Sequence, residues 1–370
     1  MLPKLKTTRR RSRVAFAALL IVTLAMLSAC SGERADSTVP GAGGATIRLQ
    51  GAGATFPNPL YQKWLSEYGK VNPQAKIDYQ SIGSGGGIQQ IQSQTVDFGA
   101  SDAPMSDEDL RKAPGELLHI PTVLGAVVIT YNLQEVAAAP LRFSPDVIAD
   151  IFLGKIKRWD DARIKADNPG IALPATNISV VHRSDGSGTT AVFTDYLAKV
   201  SPEWKASPGA GKSVDWPVGI GGKGNEGVSG QVKQTPNTIG YVELAYAVQT
   251  KLPVALIKNK SGNFVEPSLE AVTAAAAESL PTTPEDLRVS ITDAAGANAY
   301  PISSYTYILV YKEQKDAAKG KALVDFLWWS IHDGERFAKD LQYSPLPPQI
   351  VERASAKLNS ITSGGKTLRS

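Results

Sequence analysis

Residues 178–200 read ISVVHRSDGSGTTAVFTDYLAKV. Residues 178–183 read as a strand and residues 187–200 as a helix. Between them lies a turn made of small, hydroxylated and charged residues, Arg183-Ser184-Asp185-Gly186-Ser187-Gly188-Thr189-Thr190. This is the clearest strand–turn–helix unit in the chain. Working outward from it, the same alternation recurs. Strand signals at 45–50, 76–80 and 96–100 are separated by helical periodicity at 59–70 and 87–94, and a helix with acids in its first turn is expected at 106–112, where the macrodipole favours them. Strands separated by helices imply βαβ units and largely parallel sheets.

Two longer β-type runs stand apart, residues 120–131 (IPTVLGAVVITY) and residues 303–311 (SSYTYILVY). Helical segments are expected after the second, at 319–329 and 334–340. The 370 residues are too many for one ordinary core. We therefore expect a discontinuous two-domain α/β layout. Residues 46–124 and 303–370 form lobe I, residues 125–302 form lobe II, and the two long runs are the strands that cross between them.

Three predicted strand-to-helix turns share a composition. The first is Gly51-Ala52-Gly53-Ala54-Thr55-Phe56-Pro57, the second Gly83-Ser84-Gly85-Gly86-Gly87, and the third the Arg183 turn. At a helix start, free N–H groups and partial positive charge gather, which suits an anion. Glycine lets backbone approach the ligand, and Ser or Thr adds an O–H donor. Capping alone accounts for any one such turn. Three of them, on both predicted lobes, point to a cradle for an oxyanion, and the fixed donor fork of Arg183 suits a tetrahedral one.

Two acids accompany these turns. Asp102 follows a short strand in VDFGASDAP (residues 96–104), and Asp185 sits inside the third turn. A carboxylate beside an anion makes sense for phosphate, which keeps a proton near neutral pH that an ionised Asp can accept. Sulfate has no such proton, so it meets repulsion and an unmade hydrogen bond, a penalty that can reach roughly 10⁴- to 10⁵-fold. Asp102 is thus the candidate for phosphate-over-sulfate selection. Asp185 is expected to orient Arg183, and Asp97 to be a cap or a surface acid.

These stretches resemble the substrate-binding protein family of the bacterial high-affinity phosphate ABC importer. The matching segments are GAGATFPNPLY, SIGSGGGIQQI, TVDFGASDAPMS, IFLGKIKRWDD, HRSDGSGTTAVFTDYL and NTIGYVELAYA, in the family's order across nearly all of residues 50–345. The resemblance implies a type II periplasmic-binding-protein fold, with two lobes, each a mixed and mainly parallel sheet flanked by helices, joined by two crossover strands and closing on inorganic phosphate. It implies delivery to the permease subunits of an ABC importer, no cofactor and no enzymatic activity. Carried over position by position, it implies phosphate ligands at Thr55, Phe56, Ser84, Asp102, Arg183, Asp185, Ser187, Gly188 and Thr189. The chain departs from the family pattern at Gly85 and His182, where Ser and Arg are commonest.

The start of the chain has its own signature. Six basic residues lie in the first 13 positions, and no acid occurs in the first 29. Residues 14–27 are an apolar run, short against the roughly 20 residues of a membrane span. It ends in Leu27-Ser28-Ala29-Cys30, which resembles a bacterial lipoprotein signal whose cysteine is acylated. We expect a signal peptide at 1–29, lipidation at Cys30 and a Gly/Ser/Pro-rich tether at 30–45, so that the protein is extracytoplasmic or periplasmic, lipid-anchored to a bacterial membrane and a monomer. Arg9-Arg10-Arg11 lacks the residues that would make it a twin-arginine signal.

The formal charge of +4 is carried by that leader. Without it 33 Lys and Arg face 35 Asp and Glu, which argues against nucleic-acid binding. Cys30 is the single cysteine, so no intramolecular disulfide forms, and His119, His182 and His332 have no partners at metal-ligand spacing. Residues 206–213 (ASPGAGKS) nearly match a nucleotide loop, but no strand precedes them and Pro217 follows. Residues 219–224 (GIGGKG) match G-x-G-x-x-G without a good strand before them, and read as a structural glycine loop. No serine sits in G-x-S-x-G. A phosphate-responsive surface sensor and a phosphate-ester hydrolase are the alternative readings, the second lacking a nucleophile–base pair or a metal set. Phe326, Trp328 and Trp329 are expected to pack a helix into lobe I.

Overall fold

In a computed structural model, residues 46–134, 136 and 140–369 are described. The expected signal peptide, Cys30 and the tether lie outside them. The strands expected at 45–50, 76–80, 96–100, 120–131, 178–183 and 303–311 are present within a few residues, and five further strands of two to six residues join them among the described residues. They are β1 (Ile47–Gly53), β2 (Ala75–Ser81), β3 (Phe98–Ser101), β4 (Leu117–Asn132), β5 (Arg142–Phe143), β6 (Ser179–Arg183), β7 (Ile220–Gly222), β8 (Thr238–Glu243), β9 (Leu256–Lys258), β10 (Phe264–Val265) and β11 (Ser303–Tyr311). A small hairpin, Thr362–Ser363 with Lys366–Thr367, closes the C-terminal part.

Eight strands join in the order β2-β1-β3-β11-β4-β8-β6-β7. β1 is parallel to β2 and β3, while β11 is antiparallel to both β3 and β4. At the other end β6 is parallel to β7 and β8, and β8 is antiparallel to β4. The 16-residue β4 is the joint. Its Leu117–Ala126 half pairs with β11, the last pair being Ser303 with Ala126, and its Val127–Asn132 half pairs with β8, starting at Val127 with Glu243. The long run is therefore continuous because one strand serves two sheets and is buried from Leu117 to Tyr131. The fold is a two-lobed α/β structure of the type II periplasmic-binding class.

Each lobe buries its own aromatic cluster. Tyr61 stacks on Trp64 and meets Tyr79 edge-on, and Tyr79 in turn stacks on Phe98. In the second lobe Tyr241 stacks between Phe193 at 4.4 Å and Trp216 at 5.6 Å. Phe326 and Trp329 are buried in the helix Ala317–Ser330, whereas Trp328 is half-buried and carries Arg369 at 3.9 Å over its ring. The segment expected to be helical at 334–340 forms 3₁₀ turns, Asp333–Phe337 and Lys339–Leu341, and Gln342, in the left-handed conformation, ends it.

The two sequence decoys resolve differently. Residues 206–213 leave the end of the helix Pro202–Ala206 and open no helix. The glycine run at 219–224 itself contains a strand, the three-residue β7, and opens the helix Gly224–Gln234. A strand this short, with Ile220 exposed at the sheet edge, gives almost no apolar pattern to read.

Candidate functional site

The three glycine- and hydroxyl-rich turns converge. Each follows the C-terminal end of a strand, where a helix begins, namely Asn58–Val71 after β1, Ser84–Gln92 after β2 and Gly188–Val200 after β6. Open α/β sheets form ligand crevices at such ends. Thr55, Phe56, Ser84, Asp102, Arg183, Ser187 and Thr189 are each at most 3% exposed, Gly188 is buried, and Asp185 is half-buried. All nine positions carried over from the resemblance thus lie in one buried neighbourhood or at its edge.

The turns touch. The Gly85 N–H donates to the Gly186 carbonyl at 2.8 Å. Gly83 has φ +87°, and a Cβ there would lie 2.4 Å from Asp185 Oδ2, so only glycine serves. A Cβ on Gly188 would lie 2.3 Å from Ser84 Oγ and 2.4 Å from Asp102 Oδ2, so the third turn presents bare backbone to the second turn and to the acid. The N–H groups of Gly188 and Thr189 are in the first turn of their helix, with no intrahelical acceptor. The Thr190 N–H is satisfied by the capping Ser187 Oγ at 3.0 Å.

Asp102 is buried at the end of β3. Its Oδ1 accepts from Thr306 Oγ1 at 2.9 Å, and its Oδ2 has no partner. Burial raises the carboxyl to about 7, against the opposing pull of the Thr306 hydroxyl, the Arg183 charge and the Ser84 hydroxyl. An unpaired, buried oxygen beside free helix-start amides is the arrangement that a ligand O–H completes.

Arg183 is almost fully buried, and Asp185 holds it with a fork, Nε to Oδ1 at 2.8 Å and Nη2 to Oδ2 at 2.6 Å. Burial would raise Asp185, but the Arg183 guanidinium outweighs it and holds the carboxyl below its usual range, with help from the Gly224 N–H at 3.0 Å. The guanidinium charge is thus already balanced within the turn. An anion here meets N–H and O–H dipoles and the outer face of a neutral pair, not a free cation. Asp97 lies elsewhere, between the Gln50 N–H at 2.7 Å and Lys319 Nζ at 3.0 Å.

Several residues at the site gave no local sign. Asn225, at the start of Gly224–Gln234, donates to Thr55 Oγ1 and Thr189 Oγ1. Three tyrosines hold consecutive carbonyls of the first turn: Tyr79 donates to Ala54 O, Tyr246 to Thr55 O and Tyr343 to Phe56 O, each at 2.6 Å. Tyr241 OH accepts the Arg183 N–H at 3.2 Å and is hydrogen-bonded to Thr190 Oγ1 at 2.6 Å. His182 sits outside this set, stacked on Trp216 at 4.9 Å. For Asn225 the available signal was the glycine spacing at 219–224, and for Tyr241 and Tyr246 their place in the matching segment NTIGYVELAYA; Tyr79 and Tyr343 had none.

Such a fold, with a closed polar site between two lobes, defines a solute-binding protein. A model of the PBP superfamily domain matches residues 40–330. Among similar sequences, "Phosphate-binding protein PstS" of Xylella fastidiosa (strain Temecula1) is 47% identical over 326 residues, covering 88% of this chain and 89% of that protein. The protein of the same name from Methanocaldococcus jannaschii is 43% identical, covering 86% and 87%. The chain belongs to the PBP superfamily and, within it, to the PstS family of substrate-binding transport proteins. Among solved structures, a high-affinity periplasmic phosphate-binding protein bound with phosphate (PfluDING) superposes with a TM-score of 0.65 at 22% identity, covering 85% of this chain and 94% of that one. The phosphate-binding protein from Stenotrophomonas maltophilia gives 0.65 at 22%, covering 84% and 93%. At that identity these two show the shared fold.

Among the described residues no helix is long and apolar enough to cross a membrane. Nor is any group of three or more His, Cys, Asp or Glu placed to hold a metal.

Proposed function

We propose that this protein captures inorganic phosphate between its lobes and hands it to the permease subunits of an ABC importer, without chemistry on the ligand. The observation that carries this is the unpartnered Oδ2 of buried Asp102 facing the bare backbone of Gly188. It needs a ligand that brings a proton to the acid and oxygens to the surrounding N–H and O–H groups. Thr55, Phe56, Ser84, Ser187, Gly188 and Thr189 supply those donors, Arg183 adds the Nη hydrogens that Asp185 and Thr189 leave free, and Asp185 holds Arg183 in place. Residues 46–124 with 303–370, and residues 125–302, act as the two closing lobes, with closure favoured by contacts from both sides. Cys30 carries the lipid that holds the monomer to its membrane on the extracytoplasmic side. The 47% relative named for phosphate binding supports the ligand, and the neighbour titled an ABC-type phosphate transport receptor from Vibrio cholerae supports the importer.

The test is a titration of phosphate-stripped protein with phosphate and with sulfate, by calorimetry. Tight one-to-one phosphate binding with negligible sulfate binding at pH 8.5 is expected; equal binding of both anions would sink the assignment of Asp102. The pH dependence has a definite sign. Burial raises the Asp102 carboxyl, so it is protonated below about 7. A neutral carboxyl can donate to an oxyanion that has no proton of its own. Sulfate should therefore compete better at pH 5 than at pH 8.5, and Asp102→Asn should remove that pH dependence.

A further inference from the structure

Asn225 is fully buried and lies in the first turn of the helix Gly224–Gln234. Its Oδ1 accepts the Glu243 N–H at 3.0 Å. A backbone amide can only donate, so this contact settles which end of the side chain is oxygen and which is nitrogen. Nδ2 then donates both its hydrogens, one to Thr55 Oγ1 at 2.8 Å and one to Thr189 Oγ1 at 3.1 Å.

Each threonine hydroxyl accepts a second time. Thr55 Oγ1 also takes the Asn225 N–H at 3.3 Å, and Thr189 Oγ1 takes Arg183 Nη1 at 3.3 Å. A hydroxyl has two acceptor positions and one proton. With both acceptor positions filled by N–H groups, the remaining proton of each threonine can only be given away. An oxyanion offers acceptors, so a hydroxyl already turned to donate needs no reorganisation when it binds.

We infer that Asn225 is a positioning residue: it locks Thr55 and Thr189, from opposite lobes, in the orientation that donates a hydrogen bond to the bound oxyanion. This rests on the phosphate-binding reading above. It also makes one amide a sensor of closure, because Thr55 lies in the chain segment before β4 and Thr189 in the segment after it. The two hydroxyls are bridged by Nδ2 only when the first and third turns are together.

A mutant cycle read by phosphate calorimetry tests this. Asn225→Leu and Asn225→Asp are each made in the wild-type background and in Thr55→Val/Thr189→Val. Asn225→Asp keeps the shape and the Oδ1 acceptor for Glu243, so it guards against a folding failure of the leucine variant. Its charge acts in both backgrounds and cancels in the cycle. Ligand-free melting curves report folding. In the wild-type background each Asn225 change should weaken phosphate binding at least about tenfold; in the double-valine background Asn225→Leu should cost under about threefold, and the loss on Asn225→Asp should shrink by at least about threefold, since there are no hydroxyls left to orient. Equal losses in both backgrounds would overturn the inference, because a residue that merely packs the helix start acts whether or not the hydroxyls are present. If the wild-type protein bound no phosphate, the functional reading would fall and this inference with it, whereas tight wild-type binding with equal losses would overturn the inference alone.

Discussion

The third turn and the first turn do the same work by different means. In the third turn, order comes chiefly from neighbours in sequence. Ser187 caps Thr190 three residues on, and Asp185 grips Arg183 two residues back. The first turn has no such help. Its helix starts at Asn58 with Pro57 at the cap position and no side-chain cap. The carbonyls of Ala54, Thr55 and Phe56 are instead held by Tyr79, Tyr246 and Tyr343, which lie 25, 191 and 287 residues away. A turn braced locally keeps most of its contacts when the lobes part, losing the Gly85–Gly186 hydrogen bond. The first turn is braced by Tyr79 and Tyr343 from its own lobe and by Tyr246 from the other, so one of its three braces forms only as part of closure. The second lobe reaches it through Tyr246, and the C-terminal part of the chain through Tyr343.

That contrast can be broken or sharpened by substitution. The largest effect is expected from Arg183→Ala. It leaves Asp185 uncompensated in a largely buried position, and breaking such a pair costs about 3–5 kcal/mol. Phosphate affinity should fall by more than about a hundredfold, and the third turn should lose order even in the ligand-free protein, as read by amide hydrogen exchange over residues 184–190. Unchanged exchange there would show that the turn does not depend on its local ion pair.

Tyr343→Phe and Tyr246→Phe come next. Each removes one hydroxyl from a buried carbonyl at the first turn, and the loss of one such bond corresponds to about 0.5–1.5 kcal/mol, roughly a three- to tenfold fall in phosphate affinity. The distinguishing sign is where the exchange changes. Protection should drop around residues 54–58 on Tyr343→Phe and leave residues 184–190 untouched. A drop in both turns would mean that they are one cooperative unit and the contrast is empty.

The smallest effect belongs to Lys212→Ala. Lys212 Nζ pairs with Asp109 Oδ2 at 3.0 Å across the rim of the site, both side chains being partly exposed, and its carbonyl accepts the Ser187 N–H at 2.8 Å. Such a pair contributes about 0–1 kcal/mol. Loss of affinity should be under about fivefold and should shrink further as salt is raised from about 20 to about 150 mM, where the screening length is ~8 Å. A salt-independent loss would point to the backbone contact at residue 212 as the part that matters.

Much of the molecule was legible in the chain. The strands β1, β2, β3, β6 and β11 fall within a few residues of where the sequence placed them, β3 and β11 as runs covered on both faces and the edge strand β2 as an alternation of covered and exposed residues. The nine carried-over positions came from a resemblance spanning nearly the whole fold, and the structure gathers them in one place. The helix Gly224–Gln234 is obscured by the brevity of β7 and by a glycine spacing whose familiar meaning is dinucleotide binding. Asn225 therefore does not stand out in the sequence, although it touches two threonines of the cradle.

By itself the sequence determined what acts over a few residues. These are the capped helix start at Ser187, the Arg183–Asp185 fork, the positive φ that Gly83 alone allows in its turn, and the two long apolar runs that became β4 and β11. Short-range hydrogen bonds and sterics depend on spacing along the chain, and spacing can be read. Only the tertiary structure decided that β4 would change partners at Ala126–Val127, that Asp102 would be left with one oxygen unpaired, and that three distant tyrosines and one asparagine would tie the first turn to the rest. Those contacts join groups separated by up to 287 residues, and nothing in a tyrosine's own neighbours says which carbonyl its hydroxyl will meet.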